Sequence, residues 1–128
     1  MSSAPRTRPK YYDLNLAHLP APGLVSILHR VSGLLLFFPI LPAALFLLDE
    51  SLASPVGYAD ARDFFSRPLV KLAALAVVWA YAHHFWAGLR FLLLDLHWHV
   101  AKAPAQKAAW IVLVLGFLTV ACVAWRIW

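Results

Sequence analysis

Charge is scarce in this chain. Of 128 residues only 13% are Asp, Glu, Lys or Arg, and six of those are acidic, whereas an ordinary soluble domain carries roughly a quarter charged residues. A single cysteine, Cys122, excludes an intrachain disulfide and a cluster of thiolate metal ligands. The stretch Met1 to Leu19 has no apolar core of the secretory-signal kind; it is polar, interrupted by proline, and reads as a retained tail. No internal repeat and no low-complexity tract stands out. Apolar residues, by contrast, are abundant, at 62% of the chain, with mean hydropathy +0.72. A net charge of +5 would raise nucleic-acid binding in a soluble protein. Here the basic residues sit at the ends of apolar runs, where they fix membrane topology instead, so no nucleic-acid partner is expected.

Three apolar runs use most of the length, from about 24 to 48, 68 to 96 and 108 to 128. Each reaches the ~20 residues that a helix rising ~1.5 Å per residue needs to cross the hydrocarbon. The expected fold is therefore an all-α membrane protein: an N-terminal cytoplasmic or interfacial segment over 1–23, then a three-helix transmembrane domain over 24–128. Pro39 and Pro42 interrupt the first run, which predicts a kink there. Orientation follows Lys and Arg near span ends. Arg6, Arg8, Lys10, Arg30, Arg90, Lys102 and Lys107 fall on one side, and Arg62, Arg67, Lys71 and Arg126 on the other. Seven against four predicts a cytoplasmic N-terminus. The stretch from Tyr11 to Pro22 mixes leucines with polar residues and is expected to lie along that interface.

Polar residues inside spans cost a few kcal/mol each on insertion scales and usually face a bundle interior, a cofactor or a partner. In the first run Ser26, His29 and Arg30 are three and four positions apart and share a helix face. The plain alternative is that Arg30 snorkels to lipid phosphate and Ser26 caps the helix. The second run carries His83, His84, Gly88 and Arg90 and ends at Asp95. Gly88, four after His84, opens space beside that imidazole for a flat macrocycle or a neighbouring helix. Neutral imidazole is a standard axial ligand of haem iron, and an interhelical hydrogen bond is the plainer use of a lone histidine. His83, rotated about 100° from His84, competes for the same role. His97 and His99 lack a third ligand, and with His18 they read as solvated.

Together these residues resemble the cytochrome b anchor subunit of succinate dehydrogenase, the respiratory complex II. The resemblance rests on Arg8-Pro9 with Leu14-Asn15-Leu16, on the block from Ser26 through Gly33, and on His84-x-x-x-Gly88-Leu89-Arg90 followed by Asp95. It implies haem b, held by His84 together with a histidine from a second, smaller membrane subunit. It implies that Ser26 and Arg30 line a quinone pocket, that His29 contacts a haem propionate, and that Arg90 and Asp95 contact propionate or dock the soluble iron–sulfur subunit. FAD and iron–sulfur clusters would belong to the partner flavoprotein and iron–sulfur subunits, and the complex to a bacterial inner membrane. Many relatives carry a histidine where this chain has Phe91. A quinol:fumarate reductase anchor and a non-enzymatic membrane adaptor are the competing readings; a small transporter is disfavoured because no inverted repeat is visible.

Overall fold

The chain is described here from a computed structural model that covers residues 19–97 and 101–128. The expected interfacial segment and the positions of His18 and His99 lie outside these residues, apart from 19–23, of which the last three already belong to the first helix. Among the described residues the structure is helical throughout: α1 (Ala21–Leu35), a π-helical turn (Leu36–Ile40), α2 (Leu41–Ala53), α3 (Pro55–Ser66), α4 (Pro68–Asp95) and α5 (Lys102–Ile127). Three stretches are long and apolar enough to span a membrane: Ala21–Ala53, Pro68–Asp95 and Lys102–Ile127. The first, α1 through α2, is 33 residues, about 50 Å of helix, and extends past both edges of its apolar run.

Proline explains the irregular turn in that first span. Pro39 has no N–H, and its ring would press on the carbonyl four residues back. The backbone widens there into a π turn, a local insertion that relieves such strain, and the Leu41 N–H reaches back five residues to the Leu36 carbonyl. The acidic connection after Ala53, read from sequence only as a link between spans, instead contains the helix α3. Ser54 caps it by accepting from the Gly57 N–H at 3.0 Å. Gly57 lets the two helices approach, because a side chain there would run into the Glu50 carbonyl.

Lipid chains are as apolar as leucine, so helices in a bilayer are held by close packing of small residues and by hydrogen bonds. The buried set fits that rule: Val25, Ser32, Ala80, Ala82, Ala87, Ala109 and Val112, with Gly116 of α5 against the backbone of His83. Large side chains point outward, including Phe37, Phe38, Phe46, Leu92 and Phe117. In water such a surface would mark an aggregation hazard; in hydrocarbon it matches the solvent. The three spans pack most closely where α1 begins, α4 ends and α5 begins, around Ala21, Val25, Ala87, Ala109 and Val112. At the opposite end Lys71 donates to the Ile127 carbonyl at 2.9 Å, tying α4 to the last turn of α5. There a cleft of about 740 Å³ opens between α2, α3 and α4, lined by Ala44, Leu48, Tyr58, Arg62 and Val78 among others.

Candidate functional site

Two helices bring the site's histidines together. α1 and α4 run antiparallel, and the rings of His29 and His84 stack with centroids 4.2 Å apart and planes 13° from parallel. Nδ1 of His84 is 3.1 Å from the His29 carbonyl oxygen. A carbonyl only accepts, so Nδ1 carries the proton and donates it, and Nε2 keeps its lone pair. Such a partner on the far nitrogen fixes tautomer and ring orientation in metal-binding histidines. Ser32 closes the arrangement, its Oγ 3.0 Å from the same carbonyl and 3.3 Å from His84 Nδ1.

The space that admits the His84 ring is on the neighbouring helix. A β-carbon built on Gly33 would come within 2.8 Å of His84 Cε1, so only glycine lets α1 and this ring lie as they do. Gly88, the glycine that spacing placed beside His84, faces His29: a β-carbon there would meet His29 Nε2 at 3.6 Å. The first helix thus lies beside Gly88. Ser32 and Gly33 stood inside the block quoted from the sequence without a role of their own. Their signal was spacing, three and four residues after His29 and so on its face.

His83 sits in a different environment. It is fully buried, stacked on Trp79 at 5.3 Å and backed by Gly116 of α5, and neither ring nitrogen has a hydrogen-bond partner among the described residues. Protein encloses it on every side, whereas His84 is half-buried. Phe91 packs on His29, ring centroids 5.2 Å apart, and Arg90 lies 5.6 Å over the Phe91 ring. Arg90 is buried and turned toward α5, where Nη2 donates to the Ala105 carbonyl at 3.3 Å. Ser26 is half-buried, and Arg30 and Asp95 are exposed. The structure thus joins His29 and His84 directly and leaves the side chains of Ser26, Arg30 and Asp95 without a hydrogen bond to another described residue.

His84 is thus a half-buried, carbonyl-tethered imidazole between two transmembrane helices, with Ser26 and Arg30 at the start of the first. The profile of the succinate dehydrogenase/fumarate reductase transmembrane subunit family matches residues 4–123. The chain belongs to that family. It is 30% identical over 122 residues to a succinate dehydrogenase cytochrome b556 subunit of Coxiella burnetii, covering 94% of this chain and 97% of that one. It is 26% identical over 111 residues to the subunit of the same name from Rickettsia felis, covering 87% and 86%. The match includes α1 and α4 in full and α5 to residue 123, so the α1–α4 contact through His29 and His84 lies within the family region of a succinate dehydrogenase/fumarate reductase transmembrane subunit. The resemblance seen in the sequence motifs is thereby established at the level of the family, and the three-span helical fold agrees with it.

Proposed function

We propose that this chain is the larger, haem-b-binding anchor subunit of a succinate:quinone oxidoreductase and forms part of its quinone-reduction site. The observation that carries the reading is the His84 ring, with Nδ1 held on the His29 carbonyl at 3.1 Å and Nε2 left as a lone-pair donor. That donor chemistry fits a haem iron, which takes neutral imidazole. Bound haem would supply a one-electron redox centre in the dry bundle interior. His84 would hold that group from this chain, its ring fixed by the His29 carbonyl, and a histidine of a second, smaller anchor subunit would complete the protein ligands. His29, stacked on His84, is assigned to a propionate. Arg90 and Asp95, at the end of α4, are assigned to propionate contact or to docking the iron–sulfur subunit, Arg90 through the part of its guanidinium not engaged by Ala105.

The Ser26 hydroxyl donates to a quinone carbonyl, and the Arg30 guanidinium stabilises the oxyanion that develops on reduction. Both sit at the start of α1, one half-buried and one exposed, so the partner subunits supply the other walls of the pocket. Succinate is oxidised elsewhere, on a flavoprotein subunit carrying FAD, and its electrons reach the quinone through the iron–sulfur subunit. The membrane is a bacterial inner membrane with the N-terminus in the cytoplasm, as the distribution of Lys and Arg supports.

The test is made on the complex purified in mild detergent. Arg30→Ala is expected to lower quinone reduction by roughly a hundredfold, the scale of losing one oriented donor to a developing oxyanion, and Ser26→Ala by less, with reduction of an artificial dye retained in both. His84→Ala is expected to abolish the reduced-minus-oxidised b-type spectrum. Unchanged quinone turnover in Arg30→Ala sinks the pocket, and an intact spectrum in His84→Ala with a lost one in His83→Ala moves the ligand by one residue.

A further inference from the structure

A serine in a transmembrane helix ordinarily closes its hydroxyl onto the carbonyl three or four residues back and does nothing further. Ser32 makes that bond, donating to the His29 carbonyl at 3.0 Å. It also makes a second contact that no local rule requires. Its Oγ lies 3.3 Å from Nδ1 of His84, a residue of another helix, and the serine is only 2% exposed. The His29 carbonyl is 3.1 Å from the same Nδ1, so carbonyl oxygen, hydroxyl and ring nitrogen form a closed triangle between α1 and α4.

One distribution of protons satisfies that triangle. The carbonyl is an acceptor alone, and the serine has a single O–H, which points at the carbonyl. Nδ1 must therefore carry a proton, shared between the carbonyl and a lone pair of Oγ. We infer that Ser32 is a positioning residue for the haem ligand: its hydroxyl fixes the rotation of the His84 ring and, by accepting part of the Nδ1–H, raises the donor strength of Nε2. The inference rests on His84 being the ligand, as proposed above. A stronger nitrogen donor favours ferric over ferrous iron, so removing the hydroxyl favours the ferrous form. The carbonyl bond remains in that variant, which limits the effect to that of one net hydrogen bond.

Two spectroscopic readouts on the purified complex, neither of them turnover, test this. In Ser32→Ala the ferrous-to-ferric ratio at a fixed ambient potential is expected to rise roughly two- to tenfold, the span of one net hydrogen bond. The low-spin ferric resonance is expected to broaden as the ring gains rotational freedom. Ser32→Thr, which keeps the hydroxyl, is expected to return both toward the parent values. A ratio and a resonance unchanged in Ser32→Ala overturn the inference, as do equal shifts in Ser32→Ala and Ser32→Thr, which assign the effect to volume. His84→Ala separates the two levels: if its haem spectrum persists, the ligand reading fails and this inference with it. A spectrum lost in His84→Ala beside an unmoved Ser32→Ala removes the role of Ser32 alone.

Discussion

Gly33 and His84 come from different helices, yet neither position is understandable without the other. The imidazole lies where a β-carbon on Gly33 would be, 2.8 Å from Cε1, closer than nonbonded carbons approach. Gly33→Ala must push either the ring or the whole of α1, because the ring is short and tethered at Nδ1. Overpacking of this kind typically costs about 1–3 kcal/mol, and here it falls on the proposed ligand. Loss or distortion of the b-type spectrum in Gly33→Ala is expected, together with a lower unfolding temperature; Gly88→Ala, with 3.6 Å of room to His29, is expected to be milder on both measures. A Gly33→Ala complex with a parental spectrum would show that α1 and α4 lie further apart than described. Residue identity marked both His83 and His84, and the family resemblance favoured His84. The structure gives the two rings different neighbours, Trp79 and Gly116 around His83 and α1 against His84.

At the scale of elements, the helices begin and end where local chemistry directs. Pro20 precedes α1, Pro55 and Pro68 open α3 and α4, and Ser54 caps α3 with its side chain. The Ser54 cap is a local device, so its removal has a local signature. Ser54→Ala is expected to cost about 1 kcal/mol. Amide exchange in the first turn of α3 should then accelerate about fivefold, while exchange across α4 and α5 is unaltered. Protection unchanged in that turn would mean that α3 is held by its packing on α2 rather than by its cap. The same helix shows why the connection between the first two spans was read from the sequence as a plain link. Its composition, with Asp60, Arg62 and Asp63 among apolar residues, carries no long periodic signal, and its packing against α2 through Gly57 is a tertiary fact. Pro39 and Pro42 did announce an irregularity, and its form, a π turn over Leu36–Ile40, depended on how the carbonyls behind Pro39 were re-paired.

For the whole molecule, three spans place the two ends of the bundle on opposite sides of the membrane, and the basic residues are unequally divided between them. The end built from the start of α1, the end of α4 and the start of α5 carries the histidine pair and the closest packing, and the sequence ahead of α1 adds Arg6, Arg8 and Lys10 to the count for that side. The proposed cytoplasmic face for that end rests on the positive-inside rule. A tag fused ahead of Met1 is expected to be cut by added protease in inverted vesicles and protected in right-side-out spheroplasts, with a tag after Trp128 behaving in the opposite sense. The reverse pattern would put the site on the outer face and separate it from cytoplasmic succinate chemistry.

Hydropathy and length alone determined that the chain spans a bilayer three times as helices, because the dimensions of hydrocarbon leave a chain of this composition no other way to satisfy its backbone. The motifs around Ser26 and His84 likewise identified the family, since they record chemistry rather than shape. What only tertiary structure decided is which atoms meet. The His29 carbonyl, the Ser32 hydroxyl and the absent side chain of Gly33 act on His84 from another helix, across more than 50 positions of sequence. Periodicity orders residues around one helix axis; the rotation and separation of two helices follow from packing of side chains that no single segment contains.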